Sequence, residues 1–308
     1  MSTATADSSL LQIALGTGEA AVFAAGLPVL AGPAVEDLFG PSRPAGRVGA
    51  ISLFEAQGWL LGAATAPLEH GLEAAALKLY GDIFQATHDL HLARIWNYVP
   101  AINEPGPAGL ENYRIFCRGR SLAFEQRYGS GFKAMLPSAS AVGTKSGALT
   151  VAFAASPVAP RHVENPLQVP AYDYPGEYGP RAPSFARATV VPGQDLATIF
   201  VSGTAAIRGH ATVAPDNVRQ QLDCALENLR VISNACGLGP TLGQGRSATR
   251  HFKVYLRHAT ALPLVAAVLQ ERLLTGLDRV SYLHADICRH SLLVEIEASL
   301  FGAALLRA

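Results

Sequence analysis

The same order of strand and helix patterns occurs twice along this chain of 308 residues. Alternating apolar residues predict strands, and apolar residues at helical spacing predict helices. In the first half the order is strands at 48–54 and 58–63, helix 72–84, strand 93–99, helix 111–128 and strand 148–153. In the second half it is strand 197–205, helix 215–236, strand 252–257, helix 262–274 and one or more strands within 280–296. The repetition predicts a duplicated α+β unit with helices on one face of each sheet.

A segment rich in proline and tyrosine separates the two halves. Residues 156–184 contain seven prolines, and Tyr172, Tyr174 and Tyr178 lie within seven positions. Loops of this length are uncommon unless they are functional. We therefore predict a first domain at 1–155, a connecting loop at 156–184 and a second domain at 185–308.

The composition excludes several classes of partner. The 24 basic residues balance the 24 acidic ones, so no global positive field attracts nucleic acid or an anionic membrane. We find no pattern typical of a signal peptide or a membrane span. The four cysteines lack the spacing of a zinc site, which favours reduced thiols, no metal and a cytoplasmic location.

Tyr113 and Arg120 lie seven residues apart on the predicted helix 111–128 and therefore share one face. A guanidinium group binds a carboxylate through two parallel hydrogen bonds, so this pair suits an anionic ligand. A solvated basic helix face is an equally good interpretation of the same residues.

The tyrosine-rich loop leads into Arg187, which opens a predicted strand. Tyrosine offers rigid contact area together with one hydroxyl group, as ligand-binding loops often require. The alternative is a surface loop held down by its own rings. Small residues follow at 202–206 and would let a ligand approach the backbone, although His210 is more typical of a structural histidine.

Glu295 and Glu297 would point to the same face of a strand at 293–297, because side chains alternate along a strand. Their repulsion could keep one of them protonated near neutral pH, as a general acid requires. The residues alone slightly favour the plainer interpretation, an exposed face with two solvated acids.

Taken together, these motifs resemble the chorismatases over about Ser52 to Glu297. The resemblance rests on five segments in order, namely 111–114, 117–120, 179–185, 202–205 and 293–297. It implies an α+β fold of two tandem YjgF/RidA-like (chorismate mutase-like) domains. It also implies an enzyme that removes pyruvate from chorismate, a dicarboxylate, without a metal or an organic cofactor.

The same resemblance implies roles for individual residues. Glu295 would be the catalytic acid that protonates the enolpyruvyl group. The substrate would contact Tyr113, Arg120, Tyr174, Arg187 and a small residue at Ala205 or Ala206, of which we take Ala206. Which of the three loop tyrosines makes the contact stays open, as does assembly into a homotrimer.

Cys288, seven residues before Glu295, resembles the branch of the family that forms 3-hydroxybenzoate, some members of which also release 4-hydroxybenzoate. On an unbroken strand Cys288 and Glu295 would face opposite sides, so a bulge or turn near 289–291 must intervene. One alternative is the hydrolytic branch, which gives 3,4-dihydroxycyclohexa-1,5-diene carboxylate. Another is a non-catalytic RidA-like module that binds a small carboxylate.

Overall fold

A computed structural model describes residues 10–15, 21–193 and 197–302. The strands are β1 (Leu10–Ala14), β2 (Val22–Ala31), β3 (Val35–Glu36), β4 (Arg43–Val48), β5 (Ile51–Ala56), β6 (Trp59–Ala66), β7 (His91–Pro100), β8 (Ser138–Thr144), β9 (Leu149–Ser156), β10 (Arg161–Val163), β11 (Ala188–Val191), β12 (Ala197–Ala205), β13 (Ile207–Arg208), β14 (Ala211–Thr212), β15 (Thr249–Leu256), β16 (Arg279–His284), β17 (Asp286–Ile287) and β18 (Val294–Gly302). The α-helices are α1 (Leu72–Ala86), α2 (Asn112–Tyr128), α3 (Val218–Ala235) and α4 (Leu262–Arg272).

The two halves have the same strand order, which confirms the predicted α+β duplication. In the first sheet the order β8-β7-β9-β6-β5 is followed by β4, and in the second the order is β16-β15-β18-β12-β11, followed by β10. In each half the parallel pair, β7 with β8 or β15 with β16, is connected through a helix. The remaining pairs within these two repeats are antiparallel, so both sheets are mixed.

Strands also cross from each half into the sheet of the other. The N-terminal strands β1, β2 and β3 extend the second sheet through the pairing of β2 with β16, and β17 pairs with β8 at the edge of the first sheet. The division at 1–155, 156–184 and 185–308 stays a prediction, and it would have to allow for these exchanged strands.

The molecule is layered as helices, sheet, sheet and helices. Helices α1 and α2 cover the outer face of the first sheet, and α3 and α4 cover that of the second. The inner faces pack against each other through aromatic side chains, in which the Phe200 ring meets Trp59 at 5.8 Å and Trp96 at 5.9 Å between centroids. Burial of these rings makes the hydrophobic contact between the two halves.

Helix α3 shows how local sequence sets the limits of an element. The Asn217 side chain caps its first turn by accepting a hydrogen bond from the Gln220 amide at 3.0 Å. Leu222, Leu229 and Ile232 lie on its buried face. Gly237 follows the last turn with a φ of 83°, the left-handed conformation that glycine adopts readily, as predicted for a C-terminal cap.

The sequence patterns missed strand β8, because five of its seven residues are Ser, Ala or Gly and only Val142 and Thr144 are typical of strands. The connecting segment 156–184 is an ordered loop with short 3-10 turns at Ala171–Asp173 and Gly176–Tyr178. No helix within the described ranges is both long and apolar enough to cross a membrane.

Candidate active site

A cavity of about 350 Å³ opens where β8 of the first sheet meets β11, β12 and β18 of the second. The two sheets are fastened together there by hydrogen bonds, including one from the Ala139 amide to the Ser202 hydroxyl at 2.9 Å. The small residues of β8 that the sequence patterns missed, among them Ala139 and Ser140, form one wall. Their short side chains leave the volume that a ligand of modest size requires.

Glu295 reaches this cavity from the centre of the second sheet. Strand β18 lies between β12 and β15, and Glu295 pairs with Ala205 on one side and Tyr255 on the other. Its neighbours Val294 and Ile296 face the helix-covered core, as the alternation of a strand requires. The prediction that Glu295 and Glu297 share the opposite face is therefore confirmed.

The Glu295 carboxyl group is buried, and its Oε1 atom has no hydrogen-bond partner. Burial, joined by the negative charge of Glu297, raises the pKa of Glu295 to about 8. Arg94 and Arg187 act in the opposite direction but do not overcome the burial. Glu295 is thus protonated at neutral pH and can give a proton to a group in the cavity.

Glu297, two residues further along β18, has the opposite environment. Its Oε2 atom accepts hydrogen bonds from Arg94 at 2.7 Å and from the Tyr255 hydroxyl at 3.0 Å. Its Oε1 atom accepts one from the Trp96 indole at 2.9 Å and lies 2.9 Å from Lys253 Nζ. Burial alone would raise the pKa of Glu297, but Lys253 and Arg94 hold it well below the usual range. Glu297 is therefore a permanent anion beside the protonated Glu295.

Gly203 provides the space in which the Glu295 carboxyl group sits. A Cβ atom at position 203 would lie 2.1 Å from Glu295 Oε1, closer than any non-bonded contact allows. The pairing of β12 with β18 is irregular between Val201 and Thr204, so Gly203 lies in this irregular stretch. The small residues of this segment thus make room for the carboxyl group as well as for a ligand.

Cys288 also lines the cavity, because the chain turns between β17 and β18. The turn is closed by a hydrogen bond from the Leu292 amide to the Arg289 carbonyl at 3.0 Å. This is the interruption that the sequence required if Cys288 and Glu295 were to share a pocket. Burial, with the nearby Glu295, raises the pKa of the Cys288 thiol to about 12. The thiol is neutral and is therefore a poor nucleophile.

Helix α2 carries Tyr113 and Arg120 to the opposite side of the cavity. Arg120 is fully buried, its guanidinium lies 5.0 Å from the Phe116 ring, and its Nε atom has no hydrogen-bond partner. A solvated basic face is ruled out for these two residues, because both are buried. An anion in the cavity would supply the partner that Arg120 lacks.

Tyr174 and Arg187 meet in the third wall. An Arg187 Nη2 hydrogen bond joins the guanidinium to the Tyr174 hydroxyl at 2.8 Å. The Nε atom of Arg187 lies 3.9 Å from a carboxylate oxygen of Glu164, whose pKa burial raises to about 7 against the lowering effect of Arg187. Of the other two loop tyrosines, Tyr178 lines the cavity and Tyr172 packs beside α2.

Seven site residues were predicted from the sequence, and six of them line this cavity. The prediction for Ala206 has to be corrected. Ala206 is fully buried in a small apolar cluster, while Ala205 and Ile207 face the cavity. Alternation along the chain explains the difference of one position. Gly203, Phe185 and Arg289 also line the cavity and lie within or beside the same motifs, but they were not predicted as site residues.

Comparison with known proteins places these features in a family. Residues 40–155 match the family model described as "Chorismatase FkbO/Hyg5-like, N-terminal". A chorismatase from Streptomyces rapamycinicus is 40% identical over 249 residues, which cover 78% of this chain and 73% of the relative. A 3-hydroxybenzoate synthase from Streptomyces hygroscopicus is 41% identical over 212 residues, which cover 66% of this chain and 62% of the relative's own length.

A crystal structure of a chorismatase at 1.08 Å resolution superposes with a TM-score of 0.77 and 29% identity, over 97% of this chain and 95% of the other. That match extends over both halves and the connecting loop. On these grounds the chain belongs to the chorismatase family.

Proposed function

We propose that this protein releases pyruvate from chorismate and leaves 3-hydroxybenzoate, with Glu295 as the general acid. The observation that carries the proposal is a buried carboxyl group with a pKa near 8 that faces a cavity lined by arginines. A site that only bound a dianion would gain nothing from an additional acid at this position. The family membership of the chain supports the same activity.

Chorismate carries one carboxylate on its ring and another on its enolpyruvyl arm. Buried guanidinium groups and tyrosine hydroxyls suit both, because charge-assisted hydrogen bonds are strong where water is excluded. We assign contacts with the bound substrate to Tyr113 and Arg120 on one wall and to Tyr174 and Arg187 on another. The small side chains at Ala139 and Ala205 would leave space for the ring between them.

The proposed chemical step is one proton transfer followed by cleavage of a C–O bond. Glu295 gives its proton to the terminal methylene carbon of the enolpyruvyl group. The resulting positive charge is shared with the ether oxygen, which weakens the bond between that oxygen and the ring. As this bond breaks and pyruvate leaves, the oxygen of the neighbouring ring hydroxyl attacks the same ring carbon, and the hydroxyl proton replaces the one that Glu295 gave. The bridging oxide then opens at its original C–O bond and passes a ring proton to the oxygen, which gives aromatic 3-hydroxybenzoate. A positioned general acid contributes about 10²- to 10⁴-fold to the rate of such a step.

The choice of product depends on water. Chorismate divides into pyruvate and hydroxybenzoate with no atoms added, whereas the dihydroxy diene product takes up one molecule of water. A neutral, half-buried Cys288 thiol next to Glu295 occupies space that a water molecule could otherwise fill. This environment favours the route without water and therefore 3-hydroxybenzoate.

The experiment is to incubate purified protein with chorismate, without any added cofactor, and to resolve the products by chromatography and mass spectrometry. Pyruvate with 3-hydroxybenzoate is the expected result, and 4-hydroxybenzoate alongside it would indicate two products. Pyruvate with the dihydroxy diene would overturn the choice of product. Intact chorismate, in a sample shown to be folded, would overturn the proposed activity and leave a binding module.

A further inference from the structure

A row of alternating cationic and aromatic side chains runs along one side of the cavity. The rings of Phe185, Tyr174 and Tyr178 alternate with the guanidinium groups of Arg120, Arg187 and Arg289. Phe185 lies 6.0 Å from Arg120 and 5.1 Å from Arg187, and Tyr174 lies 5.8 Å from Arg187 and 5.3 Å from Arg289. Arg289 ends the row over the Tyr178 ring at 4.1 Å.

The arginines around the cavity differ in whether an acidic side chain lies close to them. Arg187 has a Glu164 oxygen at 3.9 Å, and Arg114 has a Glu111 oxygen at 3.4 Å. Within the described part of the chain, Arg120 and Arg289 have no carboxylate oxygen within 4.0 Å. Arg120 and Arg289, near opposite ends of the row, are thus the two arginines of the row that have no acidic side chain close by.

The guanidinium of Arg289 is fixed in place with one nitrogen left free. Its Nη1 atom donates to the His210 carbonyl at 2.7 Å and to the Thr212 hydroxyl at 3.3 Å. Its Nη2 atom is buried and has no hydrogen-bond partner. A buried donor without a partner is costly, and an anion in the cavity would supply the missing acceptor.

We propose that Arg289 binds one of the two substrate carboxylates and that Arg120 binds the other. This inference rests on the proposed function, since it takes a dicarboxylate as the ligand. Two guanidinium groups without an acidic neighbour match a dianion in charge, and they lie near opposite ends of the row. Arg187, which has Glu164 nearby and is close enough to Glu295 to lower its pKa, then lies between them beside the reacting group.

The test measures binding to the Glu295→Gln variant, in which turnover should be at least about 100-fold slower, so that chorismate persists during the titration. Dissociation constants for chorismate, pyruvate and 3-hydroxybenzoate are obtained by calorimetry with Arg289→Gln, Arg289→Lys or Arg120→Gln added. Arg289→Gln should weaken chorismate binding by about 10- to 100-fold, as expected for a lost hydrogen bond to a charged group. Arg289→Gln should also weaken the binding of one of the two products and leave the binding of the other unchanged. Arg120→Gln should show the reverse pattern.

Arg114→Gln is the matched control, because Glu111 already neutralises that arginine, and it should leave all three constants nearly unchanged. Arg289→Lys should recover part of the lost affinity, because the charge remains. If Arg289→Gln weakened the binding of both products equally, Arg289 would have a structural role and the proposal would be overturned. Unchanged binding of chorismate and of both products would overturn it as well. Failure of the wild-type protein to convert chorismate would remove the proposed function, whereas the product-selective loss would still identify Arg289 as a carboxylate-binding residue.

Discussion

Glu295 and Glu297 lie two residues apart on the same face of β18, yet one is a protonated acid and the other a fixed anion. The difference comes entirely from their surroundings. Arg94, Lys253, Trp96 and Tyr255 saturate Glu297, and Glu295 Oε1 has no partner. The negative charge of Glu297 then helps to keep Glu295 protonated. The two neighbouring carboxyl groups therefore have pKa values far apart, one above and one below neutral pH.

Replacement of Glu295 by Gln should lower kcat for chorismate by at least about 100-fold, because the amide keeps the shape but has no proton to give. Steady-state kinetics of pyruvate release would measure this. The fold should persist, since the side chain that is replaced is neutral at pH 7. A near-normal rate would remove Glu295 from the mechanism.

The same substitution should change how stability depends on pH. Between about pH 4.5 and about 8 the folded protein retains a proton on Glu295 that the unfolded chain has released, so the wild-type free energy of unfolding falls as pH rises. The Gln variant lacks this slope. Its melting temperature relative to wild type should therefore rise steadily from pH 5 to pH 8. A constant difference across that range would indicate an ordinary pKa for Glu295.

Glu297→Gln should lower stability by about 3–5 kcal/mol, because it leaves the buried charges of Arg94 and Lys253 without their shared partner. It should also lower the pKa of Glu295, since one negative charge is lost. The fall of kcat/KM at alkaline pH, expected near pH 8 in the wild type, should therefore move to lower pH. An unshifted profile in a folded variant would show that Glu297 does not influence the acid.

Gly203→Ala should reduce activity about as severely as the loss of the acid, because the new methyl group would occupy the position of Glu295 Oε1. Gly147→Ala is the control, since a Cβ atom there meets nothing within 4 Å. Kinetics and thermal unfolding of both variants would be compared. Full activity in Gly203→Ala would mean that the Glu295 side chain can work from a different rotamer.

Cys288→Ala should divert part of the product from 3-hydroxybenzoate to the dihydroxy diene, because the smaller side chain admits water beside the reacting ring. Chromatography of the products at complete conversion gives the ratio directly. Cys236→Ala, a buried cysteine at the end of α3 that does not line the cavity, should keep the wild-type ratio. An unchanged ratio in both variants would mean that Cys288 only packs.

The sequence predicted the fold well where periodicity was strong and the site well where charged residues were distinctive. Alternation placed Glu295 and Glu297 on one face, and helical spacing placed Tyr113 with Arg120. The sequence could not show which glutamate is protonated, because that depends on partners far away in the chain. Arg94, which binds Glu297, lies 203 residues from it and in the other sheet. Strand β8 consists mostly of small residues and gave no strand pattern. Ala206 was misplaced by one position because strand parity at 202–207 is not readable from small residues.

The duplication has a consequence for how the catalytic apparatus is distributed. Arg120 and the β8 wall come from the first copy of the unit, whereas Arg187, Cys288 and Glu295 come from the second. Neither copy contains a complete set, so each has become an obligate half of one shared centre. The tandem arrangement in one chain keeps the two halves at a fixed one-to-one ratio, and it lets the copies diverge separately, so that the acid is in the second copy alone while guanidinium groups come from both.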